Sequence, residues 1–454
     1  MDRTSCINPF QMVAILADTG LSEKAEPKSR WYRVDNAGKI FSAVTTKRLT
    51  TLFRLSCTLK EAVCVDTLQR ILPRVMTRFP YFAVQLRPGM FWYYFDQNLG
   101  EPKAVADSVF PCMGFAFKRR GQFPFRVRLY HKRIALEVAH ALTDGTGATA
   151  LLRAIVAAYL MDRYKVEFED TLDLMLPGQP VDPEESEDGF HRYFDPDIPE
   201  PVQEPRAFHL SAPLDPPGVY RVTTGIIPTG DILRLSKAIG VSLGEYLTGV
   251  YIFAFYQILQ GYSRSRRKEL ARPIRLDIPV NLRTRFPSKT MRNFFLPVLP
   301  SIDPRLGTYT LEETIMKVHH FMRVEVDQKY LRQQLARNVK AEIHPFLRIF
   351  PLFAKEWVLS AAYDLIAQGR TTSGLSNLGR ISMPDALVPY IERFDFLPAP
   401  ATSRKIGCGV ISFGDQLVIT FGRITPDASV EREFFRLLTC QGTRVRLETN
   451  TTIF

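Results

Sequence analysis

The sequence offers no stretch that reads as a membrane span: its longest apolar run lies near Tyr246–Leu259, and a spanning helix needs about 20 residues. Cysteine is scarce. There are six in 454 residues, and Cys6, Cys57, Cys64, Cys112, Cys408 and Cys440 include no C-x-x-C pair. That spacing excludes a zinc-organised or disulfide-stapled fold and fits a reducing, cytoplasmic setting. The apolar FQMVAILA near the start follows Asp2 and Arg3 and lacks a small-residue cleavage site, so it does not read as a secretory signal. Neither a G-x-x-x-x-G-K loop nor a G-x-S-x-G elbow occurs, which excludes a P-loop nucleotide hydrolase and an elbow-type serine hydrolase. Histidine is rare as well, with seven in the chain. His319 and His320 are neighbours on an expected helix and project about 100° apart. His131, His191, His209 and His344 have no ligand spacing, so no metal site is expected.

What the chain does have is apolar mass and positive charge. Hydrophobic residues make up 46% and charged residues 23%, the balance of a globular protein with a large core. The net charge is +12, and it is uneven: Glu167 to Glu204 holds thirteen acidic residues and one arginine. The rest of the surface therefore favours an anionic partner, such as a phosphate-bearing cofactor, an acidic carrier protein, nucleic acid or a lipid headgroup. Nucleic-acid binding rests on charge alone, because no recognised binding module accompanies it.

Strand and helix patterns alternate along the chain. Residues 49–57 read as a strand. Asp66 and Gln69 form a capping-box pattern ahead of a helix whose apolar face is Leu68, Ile71, Leu72, Val75 and Phe79. Tyr81–Phe95 reads as a hairpin turning at Pro88-Gly89. FRVRLYHKRIALEVAH reads as two strands, and Thr146–Tyr159 as an apolar helix. Residues 171–218, rich in proline and acid, read as a solvated crossover that forms no regular element or core. The second half restarts with a strand near Tyr220–Ile227 and a helix from Asp231. Ser242 with Glu245 caps a core helix, Pro273–Leu282 is a strand, Thr310 with Glu313 caps a long helical stretch, and Gly409–Ile424 is a hairpin turning at Asp415. The fold class is α/β with mixed sheets. Three parts result: 1–170, a crossover 171–218, and 219–454.

Between a strand and a helix lies VAHALTDGTG (Val138–Gly147). By spacing alone, His140 ends a strand, Asp144 is a helix N-cap and Gly145 serves a turn. Its position at a sheet rim also suits a histidine acting as a base in a cleft. HALTDG resembles the His-x-x-x-Asp-Gly motif of the chloramphenicol-acetyltransferase-like acyltransferases, which include condensation domains, alcohol acetyltransferases and polyketide-associated acyltransferases. WYRVDNAGKIF (Trp31–Phe41), IPVNLRTRFPSKTMRNFF (Ile278–Phe295) and SGLSNLGRI (Ser373–Ile381) resemble further segments of that family, in the same order. Condensation domains usually carry a second histidine before the catalytic one. Here that residue is Ala139, so the resemblance is nearer to the alcohol-acetyltransferase branch.

The resemblance implies two halves forming a pseudo-dimer around a central tunnel, and an acyl group passing from a thioester to an alcohol or amine. His140 would be the general base. Asp144 would pair with Arg283 and fix the turn that aims it, besides capping the helix. Ser376 and Asn377 are oxyanion candidates, and turn formation explains the same residues. Gly145 and Gly147 would admit the thioester or serve a turn. The co-substrate would be acyl-CoA or a phosphopantetheine thioester on an acyl carrier protein. No permanently bound cofactor, no nucleic acid and a monomeric state are expected. The basic clusters FKRR (Phe117–Arg120) and SRSRRK (Ser263–Lys268) are either phosphate contacts or solvated loops. The alternative is a non-catalytic relative of the same fold that docks a carrier protein or another anionic partner.

Overall fold

The computed structural model describes residues 31–46, 50–169, 172–201, 204–345, 349–362, 369–402 and 404–451. Cys6 and the FQMVAILA stretch lie outside them. Sixteen strands are described: β1 (Trp31–Arg33), β2 (Leu52–Leu59), β3 (Val84–Pro88), β4 (Tyr93–Gln97), β5 (Ala104–Ala106), β6 (Phe125–Tyr130), β7 (Arg133–Ala139), β8 (Arg221–Pro228), β9 (Ile274–Asn281), β10 (Phe295–Val298), β11 (Ser301–Ile302), β12 (Ser373–Arg380), β13 (Ile391–Leu397), β14 (Ile406–Phe413), β15 (Gln416–Arg423) and β16 (Arg446–Thr449). They form a five-stranded sheet ordered β13-β2-β7-β6-β5, a larger sheet ordered β10-β9-β12-β14-β15-β8-β16 with β11 on β9, and a small sheet β1-β4-β3. Both main sheets are mixed. β5 runs parallel to β6 in the first, and β12 runs parallel to β9 and β14 in the second.

The helices follow their capping chemistry. α1 (Asn36–Val44) starts on Asp35, whose side chain accepts from Gly38 N. α2 (Val65–Met76) buries Leu68, Ile71, Leu72 and Val75, the face expected from their spacing. Its capping box does not form. The helix begins two residues early, behind an extended Cys64 with no side-chain cap bond, and Cys64 N is held by the Tyr159 hydroxyl at 2.8 Å. Gln69 instead donates to Pro102 O and accepts from Ala104 N, pinning the start of β5. α3 (Gly145–Tyr164) is capped by Asp144 and ends on Lys165 in the left-handed conformation. The expected box does form on the 19-residue helix Leu243–Gly261, where Ser242 and Glu245 bond reciprocally. That helix is buried along nearly its whole length and is the centre of the second hydrophobic core. The stretch after Thr310 is two helices, Leu311–Glu325 and Gln328–Ile343, because Asp327 restarts the chain as a second N-cap.

Two features interlock the lobes. β13, from the second half of the chain, pairs antiparallel with β2 as an edge of the first sheet, and Phe394 and Phe396 join the first hydrophobic core. The crossover is packed, contrary to the solvated segment expected. Its acids find partners that composition cannot reveal. Asp182 caps a short 3-10 turn, Pro183–Ser186, and Glu185 makes a two-pronged pair with Arg78 at 2.7 Å for each arm. Phe190, Phe208 and Leu210 join the second core. The crossover backbone also braces the second half, since Met291 N donates to Glu185 O at 2.7 Å. Among the described residues no single helix is long and apolar enough to cross a membrane.

The Arg78–Glu185 pair is buried on both sides, so removing one partner strands a charge. Glu185→Ala is expected to cost about 3 kcal/mol, and Glu184→Ala, at a far more exposed neighbour, well under about 1 kcal/mol. Chemical denaturation of the two variants checks the packed crossover; equal midpoints contradict it.

Candidate active site

β7 delivers His140, and the strand is anchored from behind. Glu137 is fully buried and takes hydrogen bonds from Arg126, Arg128, Arg54 and Cys112 N. A buried carboxylate needs such compensation, and here it locks the strand's register against β2 and β6. His140 N then donates to Thr51 O at 2.9 Å. Thr51 holds φ at +52°, which costs a β-branched residue of order 1–3 kcal/mol of local strain and turns its carbonyl toward the histidine.

Four residues on, the Asp144 carboxylate makes every bond open to it. Oδ1 accepts from Thr146 N at 3.0 Å and Gly147 N at 3.2 Å, capping α3. Oδ2 accepts from Arg283 at 2.8 Å and from Phe294 N at 2.9 Å. Arg283 is satisfied as well, through Thr290 O and Arg292 O. The pair is nearly closed to solvent, with side-chain exposures of 10% and 5%. N-cap and arginine partner, both expected from the motif, are therefore two sides of one carboxylate.

The His140 ring is sandwiched. Phe41 of α1 stacks on it at 4.5 Å between centroids, and Phe53 and Phe295 sit at 4.6 and 5.7 Å. Nδ1 faces Asn293 Oδ1 at 3.3 Å. The Asn293 amide nitrogen donates to His140 O at 2.9 Å and to the Asp35 carboxylate at 3.1 and 3.2 Å. Those acceptors fix the amide with its oxygen toward the ring, so Nδ1 carries the proton and Nε2 keeps its lone pair. Burial lowers the His140 pKa below the ordinary 6.5, against a smaller raising effect of the Asn293 bond. The ring is therefore neutral at pH 7. Burial first, and the Asp188 carboxylate second, push Asp35 up to about 7.

His140 lines a cavity of about 930 Å³. The cavity opens because β9 and β12 pair only at Leu276–Asp277 with Ser373–Gly374 and then separate, β9 following β10. Asp277, Pro279 and Asn281 on one strand and Ser376, Asn377 and Leu378 on the other are thereby exposed to the cavity. Ser376 and Asn377 thus share the cavity with His140. Asn377 Oδ1 accepts from Gly379 N at 2.8 Å, the turn role, which leaves its amide nitrogen as a donor. Gly145 also lines the cavity, but a Cβ there would lie 2.4 Å from the Leu378 side chain. The glycine makes room for the Leu378 side chain of β12. Gly147 is tighter: a Cβ would lie 2.2 Å from Thr143 Oγ1 and 2.5 Å from Met291 O. Neither basic cluster reaches the cavity lining. Lys118 pairs with Glu356, and Arg266 with Glu269.

No protein-family model matches the sequence, and no curated protein is significantly similar to it. Solved structures do match in shape. Polyketide synthase associated protein 5 of Mycobacterium tuberculosis aligns over 89% of this chain and 96% of its own at 14% identity and a TM-score of 0.56. The epimerization domain from the third module of tyrocidine synthetase B aligns over 91% and 96% at 10% identity and 0.60. TRI101 of F. graminearum, solved with coenzyme A and T-2 mycotoxin, aligns over 93% and 100% at 11% identity and 0.58. The chain has the chloramphenicol-acetyltransferase-like fold.

Within this acetyltransferase-like fold, two buried residues escaped the sequence reading as site residues: Asn293 and Asp35, exposed by 0% and 1%. Each lay inside a segment carrying the family resemblance. Neither could be placed beside His140 without knowing that α1 and the Thr290–Phe294 segment meet there.

The glycine contacts give a contrast. Gly147→Ala pushes on a backbone carbonyl and is expected to destabilise by about 1–3 kcal/mol. Gly145→Ala meets only the end of a leucine side chain and is expected to cost less. Thermal melts of both variants check this, and the reverse ranking contradicts the packing of the turn.

Proposed function

We propose that the protein is an acyltransferase that moves an acyl group from a thioester to an alcohol or amine, with His140 as general base. The observation that carries this reading is His140 on the lining of a cavity of about 930 Å³, packed among Phe41, Phe53 and Phe295 with its Nδ1 tied to Asn293. Nε2 accepts the acceptor's proton as its oxygen or nitrogen attacks the thioester carbonyl. The tetrahedral intermediate collapses, the C–S bond breaks, and the histidine returns the proton to the departing thiolate. Holding both substrates in one cavity removes much of the entropic cost of their meeting. The Asn377 amide nitrogen and the Ser376 hydroxyl are the donors proposed for the oxyanion. Asp144 and Arg283 touch no reacting atom in this scheme and act as positioning residues. The coenzyme A bound by TRI101 in the same fold supports acyl-CoA as donor, with a carrier-bound phosphopantetheine thioester as the other source of the same chemistry. An O-acyl product, as the trichothecene 15-O-acetyltransferase TRI3 makes in this fold, is the favoured outcome.

Thiol release from acetyl-CoA and longer acyl-CoAs, measured with a panel of alcohols and amines, tests the proposal. Acceptor-dependent release is expected to fall by about 10²–10⁴-fold in His140→Ala. Release that survives the substitution refutes the base.

The pH profile follows from the burial of the ring. Protonation removes the base, and its pKa lies below 6.5. kcat/KM is thus expected to be level near neutrality and to fall only as pH drops through a value below 6.5. An acid limb centred above pH 7 contradicts the buried, neutral histidine.

A further inference from the structure

Among the described residues, the cavity wall contains a cation with no ion-pair partner. β12 pairs with β14 step for step from Leu375 to Asn377; then three steps on β12, Asn377 to Arg380, match two on β14, Val410 to Ser412. One residue is looped out. Such a bulge re-aims the side chains that follow it and is frequent beside active sites. This one is held in place at three points. Asn377 Oδ1 accepts from Gly379 N at 2.8 Å. Gly379 takes φ of +75°, a conformation that suits glycine. Pairing then resumes with Ile381 N donating to Ser412 O at 2.8 Å. The side chain placed on the cavity by this device is Arg380, which is exposed.

The other charged groups of the wall are mostly accounted for. Asp144 is held by Arg283 at 2.8 Å and Asp277 by Arg404 at 2.7 Å. Arg153 donates to Leu172 O at 3.2 Å. Asp173 is the remaining carboxylate, on the wall that also carries Leu172 and Met175. Among the described residues Arg380 is the cavity-lining arginine without an ion pair or side-chain hydrogen bond. An open guanidinium presents paired donors that match a carboxylate or phosphate.

We propose that Arg380 is an anion-binding subsite of the cavity that takes a phosphate or carboxylate carried by a substrate. Calling the ligand a substrate rests on the acyl-transfer reading; the anion site itself does not. The oxyanion could belong to the donor, as a phosphate of coenzyme A, or to the acceptor, as the carboxylate of a hydroxy acid.

Calorimetric binding to the full chain tests this with two probe pairs: coenzyme A against pantetheine, which lacks the nucleotide phosphates, and a hydroxycarboxylic acid against its methyl ester. Arg380→Ala is expected to weaken the charged member of one pair by about tenfold to a hundredfold and to leave its uncharged counterpart unchanged. Arg380→Lys should restore part of the loss, because it keeps the charge and loses the fork. A loss confined to coenzyme A assigns the anion to the donor, and one confined to the hydroxy acid assigns it to the acceptor. Wild type that binds neither charged probe, or Arg380→Ala that binds both as tightly as wild type, overturns the proposal. Anion binding that depends on Arg380 in a protein releasing no thiol would keep the subsite and remove the acyltransferase reading.

Discussion

One carboxylate joins the two lobes at the point where the chemistry is proposed. Asp144 caps α3 in the first lobe with one oxygen and holds Arg283 and Phe294 N of the second with the other. Gly147 N and Phe294 N would otherwise be buried donors without a partner, at a cost of about 1–3 kcal/mol apiece. The turn from His140 to Asp144 therefore has little freedom, and the segment Thr290–Phe294 is drawn against it. That segment is braced from the far side by the crossover, through Met291 N to Glu185 O and Thr290 Oγ1 to Glu187 O. The acidic strap between the halves thus supports the site without lining it at this point.

Asn293 converts that scaffold into chemistry. Its amide can bond correctly only one way round, because its nitrogen faces the Asp35 carboxylate and the His140 carbonyl. The oxygen left facing Nδ1 sets which ring nitrogen carries the proton, and Nε2 is the base in the proposed reaction. Asp35 also caps α1, the helix whose Phe41 stacks on the ring. One carboxylate therefore sets both the tautomer of the histidine and the aromatic cover that desolvates it. The two effects point the same way, since a desolvated ring stays neutral and a neutral ring with Nδ1 protonated has its lone pair on Nε2.

Much of this was legible in the sequence, and the divide follows the range of the interactions. Local signals read well. The strand into His140, the Asp144 cap, the Ser242 and Thr310 boxes and the apolar face of α2 all depend on residues a few positions apart. The Asp144–Arg283 pair spans 139 residues and came only through the family resemblance. What failed depended on partners far along the chain. Asp66 and Gln69 have the right spacing for a box, but Tyr159 fixes the chain ahead of the helix and Gln69 serves β5. The crossover has the composition of a solvated linker, yet Arg78, Lys289 and Asn36 use its acids. The basic runs, readable as phosphate contacts or as solvated loops, stay off the cavity, whereas the open arginine on the cavity is a single residue after a bulge that no local pattern announces.

The central claim is the state of one ring, and nitrogen NMR of histidine-labelled protein reads it directly, with His140 assigned by its loss in a His140→Gln variant. The account predicts a neutral His140 at pH 7, protonated on Nδ1, that titrates below 6.5. An Nε2-protonated ring, or an imidazolium at pH 7, would contradict it.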